Sequence, residues 1–208
     1  MSFSTFFSKQ ARKPTGVFGR WVMSLIFDRG NAFLNDYVFD LMSVQADDRI
    51  IEIGCGTGKL ISRMAAIIEE GIIEGIDFSG EMISTAIKQN KKFMVNRKVK
   101  IVEGDFDNMD YEKKIFTKAC SVNTLYFWPR PEYTVKKIAD LLTPSGKLIL
   151  AFEDIGQLNQ RNLDHDVFRF YAEDDVRNLL IDAGFSDKTN IVSRKKGKLT
   201  FHCAVGMK

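Results

Sequence analysis

From residue 49 onward, short apolar runs rich in β-branched residues alternate with segments whose apolar residues return at helical spacing, and few folds accept that rhythm. The runs fall at 49–54, 72–77, 99–104, 116–127 and 147–153. Between them, Leu60, Ile61, Met64, Ala65 and Ile68 form one stripe over 57–69. Met82, Ile83, Ala86 and Ile87 form a second over 80–94, and Val135, Ile138, Ala139 and Leu142 a third over 131–142. Strand, helix, strand at this period predicts βαβ units: a doubly wound, Rossmann-like α/β sheet with helices on both faces. Pro131 suits a helix start, and the stretch Leu142-Thr-Pro-Ser-Gly146 stops that helix ahead of the next strand.

The chain ends differently. Residues 172–183 read as a helix with Val176, Leu179, Leu180 and Ala183 inward and Gly184 as its stop. Two runs follow, 187–195 and 198–206, with little more than Gly197 between them, a spacing that favours an antiparallel hairpin. The expected sheet therefore has seven strands, six parallel and the last reversed. Ahead of the first strand, Phe18, Trp21, Val22, Leu25 and Ile26 make one helical stripe. Phe33, Leu34, Tyr37, Val38 and Leu41 make another after the Gly30-Asn31 break. Residues 1–45 are expected to form a helical cap, or lid, on a domain spanning 46–208.

A length of 208 residues suits one domain with a terminal extension. Hydrophobic residues at 45% and charged residues at 27% exclude extended disorder. Every apolar run is interrupted too soon for a transmembrane helix. The formal charge of +3 is too small to announce nucleic-acid binding, but it is unevenly placed. Residues 1–27 hold Lys9, Arg12, Lys13 and Arg20 with no acid, and 186–208 hold six bases against Asp187. The middle is net acidic and both ends are basic. Cys55, Cys120 and Cys203 are odd in number and too far apart for a zinc pattern, so no metal is expected and a reducing, cytoplasmic compartment is. The first residues lack the basic and apolar regions of a signal peptide.

The densest chemical signal is Glu52-Ile-Gly54-Cys55-Gly56-Thr-Gly58, where the first strand gives way to the first helix. Glycines at this turn let the backbone approach a ligand, which the free N–H groups of the next helix then face. The alternative is a tight turn that packs helix on sheet, but the first βα turn is where doubly wound sheets bind ligands. A dinucleotide fingerprint wants glycine in the sixth place, which here is Lys59. Glu52 is a poor neighbour for pyrophosphate and a good one for a cation. S-adenosylmethionine carries a sulfonium and an ammonium and no phosphate, so its sign fits.

E-x-G-x-G-x-G resembles the first motif of class I S-adenosylmethionine-dependent methyltransferases of the small-molecule type, and the likeness runs from residue 49 to about 206. The resemblance implies that Glu52, Gly54, Cys55, Gly56 and Gly58 hold the amino-acid end of the cofactor. It implies that Asp77 grips the ribose hydroxyls, with Phe78 beside the adenine and Met82 at the family's usual methionine. Gly104-Asp105-Phe106 matches the third element, in which the acid accepts from the adenine amine. Asp at a strand end also has an ordinary use, capping the next helix. The fourth motif falls on Ser121-Val-Asn123-Thr-Leu-Tyr126-Phe-Trp128-Pro129, with Asn123 expected near the methionine part and Tyr126 and Trp128 on the substrate wall. Asn123 to Tyr126 is only superficially similar to the N-P-P-Y signature of nucleic-acid amino-methyltransferases, since both prolines are absent.

Candidates for a general base are Tyr126 and His165, the latter in a polar stretch after the fifth strand. His202, in the terminal hairpin, reads as structural. Methyl transfer to an amine, thiolate or carbanion needs little acid–base help, because in-line positioning against a sulfonium supplies most of the acceleration. The expected reaction is methyl transfer to a small, apolar or amphipathic acceptor, releasing S-adenosylhomocysteine. N-, O-, S- and C-methylation all stay open, as do a non-catalytic cofactor binder and, less well supported, an NAD-dependent oxidoreductase. Nucleic acid is disfavoured, because the bases lack an aromatic-interleaved patch. The aromatic N-terminal segment (Phe3, Phe6, Phe7, Phe18, Trp21, Phe27, Phe33, Phe39) with Lys9, Arg12 and Lys13 reads first as a lid and second as a peripheral membrane contact.

Overall fold

The computed structural model describes residues 3–12, 31–161 and 163–208. The helix expected around Phe18–Ile26 lies outside the described residues. Seven strands form one sheet: β1 (Arg49–Ile53), β2 (Ile72–Asp77), β3 (Val99–Glu103), β4 (Phe116–Val122), β5 (Leu142–Glu153), β6 (Asn190–Lys196) and β7 (Leu199–Met207). Their spatial order is β3-β2-β1-β4-β5-β7-β6. The strands β1 to β5 pair in parallel. β7 runs antiparallel to both β5 and β6, so the reversed strand sits inside the sheet and β6 forms its edge. The doubly wound sheet with its last strand reversed is thus as expected.

Alternation along each strand divides the core into two layers. On β1, Ile51 and Ile53 face one apolar cluster and Ile50 the other. On β5, Leu148, Leu150 and Phe152 face the first, and Ile149 and Ala151 the second. Central strands buried on both faces need such near-continuous apolar runs. The first layer is closed by Val135 and Ile138 of α5 (Pro131–Leu141) and by Val176 and Leu180 of α6 (Glu173–Asp182). The second is closed by α2 (Ala32–Met42), α3 (Lys59–Ala65) and α4 (Gly80–Val95), through Leu34, Val38, Ile61, Met64 and Ile83. α2 is therefore part of the sheet's cover, with Leu34, Tyr37, Val38 and Met42 buried. A separate helix, α1 (Phe3–Arg12), lies near residue 164, where Ser8 is buried and its Oγ accepts from the Asp164 N–H at 3.0 Å.

Three boundaries depart from the periodicity, each for a local reason. α3 stops at Ala65 rather than running to 69, because the N–H groups of Glu69, Glu70 and Gly71 all turn to the Ala46 carbonyl at 2.8, 3.1 and 3.2 Å. A Cβ on Gly71 would stand 1.9 Å from the Asp48 carbonyl oxygen, so only glycine passes there. β4 ends at Val122, since Asn123 takes a left-handed φ of 56°. β5 begins at Leu142 and absorbs the turn before it, with its partner register jumping from Phe116↔Leu142 to Lys118↔Lys147.

Candidate functional site

Strand order reverses its winding between β1 and β4, and the crevice at their carboxyl ends is where an open sheet of this kind receives a ligand. A cavity of about 560 Å³ opens there, in the size range of roughly 300–1,000 Å³ usual for small-molecule sites. Its walls include the turns after β1, β2, β3, β4 and β5, Ala11 and Arg12 of α1, Asn31 and Asn35 at the start of α2, and Leu199 and Phe201 of β7.

The turn after β1 holds Gly54, Gly56 and Gly58 at φ of 73°, 52° and 73°. Each glycine does something different. A Cβ on Gly54 would lie 2.4 Å from Thr124 Cγ2, so its absence lets the β4 loop close in. A Cβ on Gly56 would enter open space, and Gly56 lines the cavity. Gly58 is not in the wall; a Cβ there would meet Asn90 Nδ2 at 2.5 Å and Ala86 Cβ at 3.0 Å on α4. The third glycine of the motif thus serves helix packing, and Asn90, fully buried, donates to its carbonyl at 3.0 Å.

Asp77, at the end of β2, ties two turns together: Oδ2 accepts from the Gly56 N–H at 3.0 Å and Oδ1 from the Ser79 N–H at 2.9 Å. Burial nevertheless raises its pKa, outweighing those two bonds. Glu52 is 3% exposed, lines the same cavity, and leaves Oε2 with no hydrogen-bond partner. Burial, and then the neighbouring Asp77, push its carboxyl well above the usual carboxylate range. Cys55 is also in the wall, with its thiol pushed well up by burial and by those two acids. No cation among the described residues offsets these two crowded, desolvated carboxyls, although Arg12 and Lys59 also line the cavity.

The turn after β3 is a short 3-10 helix, Phe106–Asn108. Asp105 lines the cavity while its Oδ1 accepts from the Asp107 N–H at 3.1 Å and Oδ2 from Asn108 Nδ2 at 2.9 Å, so the capping use is realised as well. Lys137 on α5, which the sequence did not single out, clamps this turn by donating to the carbonyls of Phe106 and Met109 at 2.6 and 2.5 Å. Phe78 and Phe106 are in the wall. Met82 is not: it is 1% exposed on α4 and belongs to the interior.

The β4 loop is held by polar contacts that no local pattern announces. Asn123 donates from Nδ2 to Asn31 Oδ1 at 2.8 Å, and its Oδ1 accepts from the Tyr126 hydroxyl at 3.2 Å. That hydroxyl accepts in turn from the Glu153 N–H at 2.6 Å. Burial raises the phenol pKa further above its ordinary value, which removes Tyr126 as a base at neutral pH. Tyr126→Phe should leave the Glu153 N–H short of a partner, at a cost of about 1–3 kcal/mol. In a chain this size that lowers Tm by several degrees (about 2–4 °C per kcal/mol), which scanning calorimetry will register.

The other end of the cavity is apolar. Phe127, Trp128, Leu158, Leu163 and Phe168 line it, with Phe127 and Phe168 ring centroids 4.7 Å apart. At its edge Arg161 grips Glu153, its Nη2 2.5 Å from Oε2. Leu158, on a short helix (Ile155–Asn159), and Leu163 and Phe168 beyond it complete this wall after β5, where the sequence offers His165 but no apolar periodicity to mark these three. His165 is exposed, sits edge-on to Phe170 at 4.9 Å and is not in the wall, so the candidate base does not reach the cavity. His202 is buried on β7 with Nδ1 2.8 Å from Ser193 Oγ.

Residues 45–184 match the model of a family described as methyltransferase domain. The chain is 24% identical over 123 residues to the uncharacterised methyltransferase YdaC of Bacillus subtilis, a match covering 59% of this chain and 66% of that protein. It is 26% identical over 129 residues to a sterol 24-C-methyltransferase of Saccharomyces cerevisiae, covering 62% of this chain and 33% of that enzyme. The match therefore spans between a third and two-thirds of these relatives' lengths. Among solved structures it is similar to a SAM-dependent methyltransferase from Aquifex aeolicus, with TM-score 0.68, 16% identity and 99% of each chain covered.

Proposed function

The chain belongs to the methyltransferase-domain family, and on that premise we propose that it transfers a methyl group from S-adenosylmethionine to a small, apolar or amphipathic acceptor. The observation that carries this reading is the buried carboxyl of Glu52, with Oε2 unpartnered in a cavity whose floor is a glycine turn. A ligand ammonium supplies the missing partner and the missing charge at once. When bound, the cofactor contributes a methyl group already activated on a positively charged sulfur.

The remaining work belongs to the chain. Glu52, with the backbone of Gly54, Cys55 and Gly56, holds the amino-acid end. Asp77 has one carboxylate lone pair left on each oxygen after serving Gly56 and Ser79, enough for two ribose hydroxyls. Phe78 and Phe106 flank the adenine and Asp105 accepts from its amine. Asn123, fixed by Asn31 and Tyr126, shapes the wall at the reaction centre. Tyr126 is a positioning residue, and no side chain is assigned as a general base. Phe127, Trp128, Leu158, Leu163 and Phe168 exclude water and hold the acceptor in line. Among the described residues of 1–45, Ala11 and Arg12 of α1 and Asn31 and Asn35 at the start of α2 stand in the wall, which supports the cap reading.

Incubation with methyl-labelled S-adenosylmethionine and a cell extract tests the activity, the expected outcome being label in a small organic-soluble product. Persistent absence of label alongside intact cofactor binding would identify a non-catalytic binder instead. Asp77→Ala is expected to weaken cofactor binding about ten- to a hundredfold, as lost hydrogen bonds to a charged group do. Unchanged affinity by calorimetry would remove the ribose assignment.

A further inference from the structure

We propose that the tip of the β6–β7 hairpin docks the protein on an anionic lipid bilayer, next to the mouth of the cavity. The inference extends the proposed function, since an apolar acceptor dissolved in lipid is what such a location serves.

Residues 188–201 contain Lys188, Arg194, Lys195, Lys196 and Lys198 and no acid. Arg194 is already used: its Nη1 lies 3.0 Å from Asp40 Oδ2 and its guanidinium 4.2 Å from the Tyr37 ring centroid. Lys195, Lys196 and Lys198 have no ion-pair partner among the described residues. The Lys196 ammonium stands 5.7 Å from the Phe33 ring centroid, on the α2 face of the sheet. Strand alternation turns Lys195 to the opposite face, and Gly197, with φ of 60°, reverses the chain before Lys198. Positive charge therefore surrounds the tip. Of the acids around the hairpin, Asp40 pairs with Arg194 and Glu153 with Arg161, while Asp154 and Glu173 stand beside His202.

Apolar surface lies among these charges. Leu199, the first residue after the tip, is 38% exposed and also lines the cavity, as does Phe201 two residues on. Arg12 of α1 is exposed on the same wall. A ring of lysines around an exposed leucine at the entrance of an apolar cavity matches the two halves of a bilayer interface, anionic headgroups above hydrocarbon. RNA is the poorer fit, because the rings beside these bases are already occupied: Phe33 packs on Phe201, and Tyr37 is buried under Arg194.

The test is cosedimentation of the full chain with phosphatidylcholine vesicles with and without phosphatidylglycerol, run beside cofactor calorimetry. Binding is expected only to the anionic vesicles and should fade as salt shortens the reach of surface charge. The triple variant K195Q/K196Q/K198Q should lose roughly a hundredfold in vesicle affinity, about fivefold per lysine, with unchanged cofactor affinity and Tm. Equal binding to neutral vesicles, or undiminished binding by the triple variant, overturns the proposal. So does a fluorescent single-stranded RNA that binds in preference to the anionic vesicles and depends on the same lysines. Because vesicle binding is read without cofactor, its failure leaves the methyltransferase reading standing, and failed cofactor binding leaves the docking surface standing.

Discussion

Glu52→Gln is expected to make the protein more stable and a worse binder of its cofactor. The carboxyl is buried, faces Asp77 and has an unpartnered oxygen, so the free protein holds it in a state that favours the proton. A carboxyl whose pKa is raised by folding adds stability that is fully present below its unfolded pKa and is lost as pH rises through the folded one. At neutral pH, above the unfolded pKa, the wild-type chain has given up part of that contribution. Glutamine removes the titration while keeping the shape, so the variant's Tm should exceed that of wild type at neutral pH. A gain of about 1 kcal/mol appears as roughly 2–4 °C. The two melting temperatures should converge as pH falls toward about 4.5, where the unfolded carboxyl also protonates. Affinity moves the other way: loss of a charge-assisted bond to a ligand ammonium should weaken S-adenosylmethionine binding about ten- to a hundredfold. For wild type, affinity should rise with pH across the acidic range as Glu52 ionises more readily, up to about pH 7.5, above which an α-amino group loses its proton. Scanning calorimetry across pH and titration of the same two proteins measure both halves.

Gly56 and Gly58 of the motif should separate into different kinds of damage when each becomes alanine. At Gly58 the new Cβ meets Asn90 Nδ2 at 2.5 Å and Ala86 Cβ at 3.0 Å in a left-handed backbone. Left-handed strain costs about 1–2 kcal/mol, and displacing the buried Asn90 amide from the Gly58 carbonyl adds about 1–3 kcal/mol. Gly58→Ala should therefore lower Tm by roughly 10 °C, at about 2–4 °C per kcal/mol, because it wedges α3 from α4. At Gly56 the Cβ meets nothing in the protein. Gly56→Ala should carry only the backbone strain in stability, yet weaken cofactor binding by at least about tenfold, or 1.4 kcal/mol, by filling space on the cavity wall. If Gly58→Ala instead kept its Tm and lost only affinity, its place outside the wall would be wrong.

The pair also shows where sequence reading reaches and where it stops. A strand-end acid is legible because β periodicity locates the strand end, and Glu52, Asp77 and Asp105 all stand in one wall. The glycine spacing is legible too, but identical residues at Gly56 and Gly58 hide opposite tasks. Only the distance to Asn90, 32 positions later, separates them. Met82 fails for a related reason: a motif position on a helix can face the interior, and α4 turns it there. Periodicity overran at β4, where Asn123 takes a left-handed turn because its side chain is anchored to Asn31 and Tyr126. It could not place α2 either, since an apolar stripe declares that a helix packs, not on what. The apolar end of the cavity is assembled from Leu158 on a short helix (Ile155–Asn159) and from Leu163 and Phe168 beyond it, residues that meet only in three dimensions. His165 stands out in the sequence for its chemistry and its place after the fifth strand, but the fold turns it to solvent.

The central claim is that the acidic cleft above the β1 turn takes a cationic nucleoside cofactor rather than a pyrophosphate-bearing one. Calorimetric titration of the full chain with S-adenosylmethionine, and separately with NAD, tests it directly. One saturable site for S-adenosylmethionine, with no saturable heat from NAD, is the expected result. Saturable binding of NAD with none of S-adenosylmethionine would contradict the account.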